Sequence, residues 1–389
     1  MNPSVIIEPI RLESINATCF IRRQDPSLIP QLLSEAAQTS DCANLFMKMF
    51  YIFGAYGQDV TALQMQAKAL EFRTSFRIVS PQRTNIKLLA LVAAGHMMDN
   101  TPIDFLIENS DIQLELLYID EHFTLPLKVP EHDILYVAIG ESPKNNPILE
   151  RLSLILSIWP RPVINNPLAI QKCARDIFYE LMNKGANIFV AQTVKRRGND
   201  ITITEKPFTV RPVGSHAGED FVKIVTSGDL INYMNKFSSD QNFYIADYID
   251  YQNEDGQFRK YRIALIQGAP YICHLAISNH WIVHYFPSGM EKSKNKRHEE
   301  ESEMLSFESS FAVRHQAAFD FVYRTLGLDY VVIDCAQSKT GELIIFEADS
   351  GAWVHATDPV EIFPYKPAAM KKVFNAFREM LVSKMSAIQ

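Results

Sequence analysis

Apolar positions recur at helical spacing through Leu28, Leu32, Leu33 and Ala36, and again through Leu45, Met49, Ile52 and Phe53. Gly54, Gly57 and Asp59 interrupt the pattern, which resumes as VTALQMQAKALEF, rich in good helix formers. Residues 1–83 are therefore read as mainly helical. Near residue 84 the texture changes. IKLLALVAA is a short continuous apolar run, as a strand buried on both faces would be. TPIDFLIEN follows as a helix-like stretch, with Thr101 a candidate N-cap and Pro102 at the first helical position. QLELLYI, HDILYVAIGE, a helix over 146–156 and RPVINN continue the alternation of strand and helix. That alternation predicts a small parallel α/β domain over 84–166.

From residue 167 the pattern is α+β. A helix is expected over 169–183, then the strands NIFVAQTVK, FTVRPV, FVKIV, NFYIADYID, YRIALIQ and APYICHLAIS. GMEKSKNKRHEEESE is too charged for a core and suits a solvated loop or an exposed helix. A helix over 312–326, the strands DYVVIDCA and ELIIFEAD, and a helix over 368–385 close the chain. The expected fold class is α/β and α+β in three parts: 1–83, 84–166 and 167–389, the last divided into subdomains of about 167–245 and 246–389.

Composition changes this picture little. With 389 residues, 47% of them hydrophobic, the chain can bury a large core. No apolar run reaches the roughly 20 residues that cross a bilayer, and the first residues lack a signal-peptide pattern. Five scattered cysteines without CxxC spacing disfavour a disulfide framework and a structural zinc site. The expected location is the cytoplasm. A net charge of −7 with no long basic tract points away from nucleic acid, and no membrane partner is expected.

Candidate chemistry concentrates near the C-terminus. LDYVVIDCAQSKTGELIIFEADS reads as two strands joined at SKTG. Tyr330, Val332 and Asp334 share one face of the first strand, and Ile345, Glu347 and Asp349 one face of the second. Antiparallel pairing would gather three carboxylates at one end of the hairpin. Carboxylates among Val, Ile and Phe are costly without a compensating cation, and magnesium accepts a few of them while keeping positions for phosphate oxygens. The alternative is salt-bridged acids at a strand end. Upstream, FTVRPVGSHAGEDFVKI places Arg211 late in a strand before a loop of small residues, Gly214, Ser215, His216, Ala217 and Gly218. Free N–H groups there would grip phosphate oxygens beside a fixed guanidinium, although glycine-bearing hairpin loops are also common connectors.

In this order the pieces resemble the ATP-grasp superfamily, nearest to the ligases that add glutamate to ribosomal protein S6, over residues 84 to the end. NLFMKMFYIFGAYGQDVTALQMQAKALE also resembles a single tetratricopeptide-type unit; an ordinary helical hairpin is the alternative. The family fold is a small parallel α/β domain followed by two α+β subdomains that clamp ATP. Asp334, twelve intervening residues, Glu347, one residue and Asp349 resemble the family's magnesium motif, with Asp349 where Asn is usual. Arg211 replaces the usual phosphate-contacting Lys, and in CARDIFYELM Asp176 matches an Asp-Lys motif whose Lys position holds Ile177. YIADYIDY resembles the adenine-binding hinge. By that match Ala246, Tyr248 and Ile249 line the base, and Asp247 or Asp250 reaches the ribose. Arg262 in KYRIALIQGAP takes the role of an Arg that meets the γ-phosphate or acyl phosphate, with Lys260 where an acid is common.

The resemblance implies an ATP- and Mg2+-dependent carboxylate–amine ligase. It would work through an acyl phosphate, on an amino acid, a peptide or a related small acid. A small-molecule kinase and a non-catalytic scaffold are the alternatives, the second because Ile177 removes a cation. HLAISNHWIVHYFPSGM would supply substrate contacts from His274, Ser278, His280, Trp281, His284 and Tyr285, with His284 the candidate catalytic residue. His216, His355, Asp358 and Lys366 are further candidates. The N-terminal helices are a candidate surface for a homodimer or a protein partner.

Overall fold

The computed structural model describes residues 5–7, isolated positions between 30 and 38, and 41–78, 82–122, 129–215, 218–285 and 287–387. The expected helical positions at 28, 32 and 36 lie outside these residues. A short strand β1 (Val5–Ile7) precedes a helical hairpin, α1 (Cys42–Ala55) and α2 (Asp59–Phe72). Asp41 caps α1 by accepting from the Asn44 N–H at 3.1 Å, and Gly57, at φ +70°, makes the turn between the helices. The N-terminal region is not wholly helical, because β1 pairs in parallel with β2 (Ser75–Ile78) and both join the first sheet.

That sheet also contains β3 (Ile86–Ala93), β4 (Ile112–Ile119), β5 (Ile134–Val137) and β6 (Val163–Ile164). Its strand order is β1-β2-β4-β3-β5-β6, and β3, β4, β5 and β6 run parallel. The apolar run of β3 is buried on both faces, as its composition predicts. A single-turn helix α3 (Ile103–Leu106) follows β3, and α4 (Asn146–Leu156) follows β5. Thr101 does not cap α3; its hydroxyl donates to the Ser350 carbonyl at 2.7 Å, 249 residues away in sequence. A long-range bond replaces the local one that the sequence suggested.

The expected helix over 169–183 is broken into α5 (Pro167–Ile170) and α6 (Arg175–Met182). NIFVAQTVK likewise divides into β7 (Ile188–Phe189) and β8 (Thr193–Arg197), which join different sheets. The second sheet is antiparallel throughout. It comprises β8, β9 (Phe208–Pro212), β10 (Val222–Ile224) and, after α7 (Ser227–Met234), β11 (Asn242–Asp247), in the order β10-β9-β11-β8. The third sheet starts with the hairpin β12 (Phe258–Ile266) and β13 (Ala269–Ser278). The helices α8 (Lys294–Ser306), α9 (Phe311–Arg314) and α10 (Gln316–Leu326) follow. Then come β14 (Tyr330–Gln337), β15 (Leu343–Asp349) and the terminal helix α11 (Lys366–Ser386), and the sheet order is β13-β12-β14-β15-β7.

β14 is buried on both faces. Val331, Ile333 and Cys335 pack in one core with α10, while Tyr330 and Val332 face a second core shared with α11 and the first sheet. Asn165 joins the first and third sheets. Its side-chain amide donates to the Tyr330 carbonyl at 2.9 Å and accepts from the Tyr330 N–H at 3.0 Å, as a neighbouring strand would. The charge-dense stretch forms α8, and one face of it is far from solvated. Glu300 is fully buried and accepts from the hydroxyls of Tyr285 at 2.8 Å and Tyr365 at 2.6 Å. Lys366 is buried beside it, 3.6 Å from Glu300 and 2.8 Å from Asp358. Asp358 and Lys366 are thus committed to a buried ionic network, where one partner cannot be lost cheaply.

Candidate active site

A row of charge crosses the third sheet. Lys260 and Arg262 lie on one face of β12, two residues apart. Arg262 stands opposite Asp334 on β14, and Asp334 stands opposite Glu347 on β15. Arg262 holds Asp334 in a fork, Nε to Oδ1 at 2.8 Å and Nη2 to Oδ2 at 3.0 Å, and Lys260 Nζ donates to Oδ2 at 2.8 Å. Burial alone would raise the Asp334 carboxyl. The Arg262 guanidinium, with Lys260 beside it, holds it well below the usual carboxylate range. Arg262 also donates to the Trp353 carbonyl at 3.1 Å, so its guanidinium is occupied with bracing Asp334.

Asp349 takes a different position. A bulge between Asp334 and Cys335 sets Asp349 opposite Val332, and one of its oxygens accepts from the Gly351 N–H at 2.7 Å. Among the described residues no group of three His, Cys, Asp or Glu is arranged to hold a metal ion. Asp334 and Glu347 line one cavity of about 170 Å³, whereas Asp349, Glu347 and Glu141 line an adjoining one of about 70 Å³.

The second sheet supplies the facing wall. Arg211, on β9, is only 8% exposed. Its Nε donates to Ser215 Oγ at 3.1 Å, its Nη2 to the Ser215 carbonyl, and its guanidinium lies over the Phe221 ring. Among the described residues no carboxylate pairs with it. Burial, reinforced by the nearby Arg175 guanidinium, pushes Arg211 down to about 9. Arg175 begins α6, contacts Glu347 and lines both cavities with Arg211. Arg175 stands two residues before Ile177, the position where the family resemblance expects a Lys. The Ile177 side chain is 45% exposed and lines neither cavity. The signal available in the sequence was Arg175 at the start of an amphipathic helix, where Phe178 and Met182 mark the buried side.

The larger cavity continues from these charges into an aromatic slot. Tyr248 and Trp281 meet edge to face at 5.6 Å, and Phe221 meets Trp281 at 5.2 Å. Ala246, Asp247, Tyr248 and Ile249 line the slot, but Asp250 does not; its carboxylate accepts from the Gln252 N–H. The N–H groups of Asp247 and Tyr248 are already bonded to the carbonyls of Gln192 and Pro207. Gly214 and Gly218 have φ of +85° and +76°, and Ser215 folds back on Arg211; His216 and Ala217 lie outside the described residues. A Cβ on Gly218 would stand 2.7 Å from His284 Nε2, so the glycine admits the imidazole. His284 lines the cavity, and burial and then Lys260 depress its pKa, leaving the ring neutral at neutral pH.

Of the remaining candidates, His274 packs on Tyr285 with ring centres 4.7 Å apart, and its pKa is depressed by burial and Arg262. Ser278 Oγ accepts from the N–H of His280, which is exposed. His355 bonds Thr357 through Nδ1. None of these four lines the two cavities, whereas Trp281 does.

Two sheets thus face each other across one cleft, behind a parallel α/β domain. This agrees with the α/β and α+β fold class expected from the sequence. No family model and no curated protein sequence matches the chain. Solved structures are similar to it at low identity. D-alanine–D-alanine ligase from Bacillus anthracis, complexed with ATP, shares 12% identity at a TM-score of 0.49, over 78% of this chain and 99% of that one. VanG D-Ala:D-Ser ligase from Enterococcus faecalis shares 11% at 0.47, over 77% and 100%. A RimK domain ATP-grasp protein from Sphaerobacter thermophilus shares 11% at 0.46, over 76% and 99%. At such values the likeness concerns chain path alone, and the chemistry rests on the residues of the cleft. Among the described residues no helix is long and apolar enough to cross a membrane.

Proposed function

We propose that the cleft binds ATP with magnesium and joins a carboxylate to an amine. One observation carries this reading. Among the described residues Arg211 is a buried cation without a carboxylate partner, set beside a second guanidinium between an aromatic slot and an acidic strand. Such a charge is costly unless an anion completes it, and the adjoining slot suits a flat ring. A nucleotide polyphosphate satisfies both ends at once. The base would stack against Tyr248 and Trp281 beside Ala246 and Ile249, and Asp247 would reach the ribose. Phosphate oxygens would lie on Arg211, Arg175 and the loop 214–218.

The carboxylates suit a magnesium ion that arrives with the nucleotide. Asp334 and Glu347 offer hard oxygen donors side by side, and magnesium commonly takes one or two carboxylates together with phosphates instead of a full protein cage. Asp349, beyond Glu347, would complete the set on the side of the smaller cavity. The ion would supply charge neutralisation between phosphate oxygens.

In the proposed reaction a substrate carboxylate oxygen attacks the γ-phosphorus, the bond to the β–γ bridging oxygen breaks, and ADP leaves. The amine then attacks the acyl carbon, phosphate leaves, and the amine gives up a proton, for which neutral His284 is placed at the loop. Arg211, Arg175 and Lys260 stabilise charge on the transferring group. Arg262 acts one step back by holding Asp334. Closure of the 214–218 loop would keep water from the acyl phosphate.

The test is ADP and phosphate release from purified protein with MgATP and panels of acids and amines. A ligase turns over only with both partners present, a kinase with one acceptor, and a scaffold with neither. Failure of MgATP to raise the melting temperature would remove the nucleotide assignment itself.

A further inference from the structure

A third cavity, of about 50 Å³, lies between the helical hairpin and the α/β domain. It has room for a small head group and not for a nucleotide. Its lining is unusual in composition. Phe50, Tyr51, Phe105, Tyr118 and Trp353 surround one carboxylate, Asp104. Phe105 and Trp353 stand 5.5 Å apart between ring centres, Phe50 and Tyr51 5.0 Å apart, and the Tyr51 hydroxyl bonds that of Tyr118. Among the described residues no cation pairs with Asp104; only the N–H groups of Asp104 and Phe105, at the start of α3, approach its carboxylate. Burial pushes this carboxyl up to about 6, so at neutral pH it is ionised yet uncompensated.

We infer that this cavity binds a primary ammonium group, with Asp104 as counter-ion and Tyr51, Phe105 and Trp353 as its aromatic walls. A carboxylate and several ring faces converging on a space of this size favour an ammonium over an anion, and over a neutral hydroxyl, which Gln66, Asn100 and Thr101 on the same lining could also bond, by the ion pair with Asp104. The hairpin gains a role from this, since Phe50 and Tyr51 on α1 roof the cavity. Trp353 ties the cavity to the cleft: its ring lines the one, and its carbonyl holds Arg262 beside Asp334 in the other. The ammonium would therefore anchor an amino-acid or peptide substrate whose reacting end lies toward the cleft. That last assignment rests on the ligase reading; the preference for an ammonium does not.

The experiment is a tryptophan-fluorescence titration of the full chain with ethylammonium chloride, against ethanol as the neutral analogue, at constant ionic strength. Trp353→Phe identifies the reporting ring. The wild type should give a saturable change with ethylammonium only. Asp104→Asn, which keeps the shape and removes the charge, should weaken it by roughly tenfold to a hundredfold. Arg211→Met, in the other cleft, should bind ethylammonium as the wild type does. Equal responses to ethylammonium and ethanol in the wild type, or unchanged affinity in Asp104→Asn, overturn the inference. MgATP stabilisation is measured on the same samples. Stabilisation by MgATP without ammonium binding sinks the cavity inference alone, and saturable ammonium binding without any MgATP effect sinks the nucleotide reading alone.

Discussion

Replacing Arg211 by Met should make the ligand-free protein more stable and a poorer nucleotide binder. The guanidinium is almost fully buried, its fixed partners are both in Ser215, and the nearest comparable charge is another cation, Arg175. A pKa near 9, well below the ordinary arginine range, means that the fold disfavours this charge. Each tenfold is about 1.4 kcal/mol, so after allowing for relaxation the cost is of order 2–4 kcal/mol. The sign is fixed by linkage. The unfolded chain holds this proton up to the ordinary value and the native state releases it near 9, so stability rises between those values and the whole cost is present at pH 7. Met keeps most of the stem's packing and removes the charge. Scanning fluorimetry without ligand should show a rise of roughly 2–5 °C for the variant. Calorimetric titration with MgATP should show affinity reduced on the order of 30-fold to 100-fold, the loss of charge-assisted bonds to phosphate. A less stable variant that still binds MgATP normally would refute the idea that Arg211 is kept, at a cost in stability, for an anion.

Three further outcomes follow from the same geometry. Ile177→Lys should leave MgATP affinity unchanged, because that side chain is exposed and lines neither cavity, whereas Arg175→Ala should lower it by roughly tenfold or more in the same titration. Asp334→Asn should cost about 3–5 kcal/mol in urea unfolding at pH 7, since it leaves the half-buried Lys260 and Arg262 facing a buried neutral group. The Asp334 carboxyl is depressed in the fold, so that difference should be constant above its ordinary value of 3.8 and shrink as the pH falls below it; a difference that grows in acid would contradict the assignment. Gly218→Ala should slow turnover and weaken MgATP protection of the loop from proteolysis, because a φ of +76° disfavours a side chain and a Cβ there would press on His284; unchanged turnover and protection would contradict the role given to the loop.

What the sequence by itself determined is what depends on local pattern. Two-sided burial of IKLLALVAA, the alternation that makes β3, β4, β5 and β6 parallel, the hairpin of α1 and α2, and the pairing of DYVVIDCA with ELIIFEAD follow from apolar period and turn residues a few positions apart. The same pattern placed Asp334 and Glu347 as neighbours, because facing residues on paired strands repeat every two positions. Tertiary structure decided which charges meet. Arg175 reaches Glu347 across 172 residues of sequence, Lys260 and Arg262 reach Asp334 across more than 70, and Asp349 lines the smaller cavity while Asp334 lines the larger. It also drew Glu300 out of a segment that reads as solvated and into one buried network with Lys366. Electrostatic pairing depends on distance through space, and chain order carries little of that information once several sheets pack together. The carboxylates were legible from their strand; their pairing with Lys260, Arg262 and Arg175 was not.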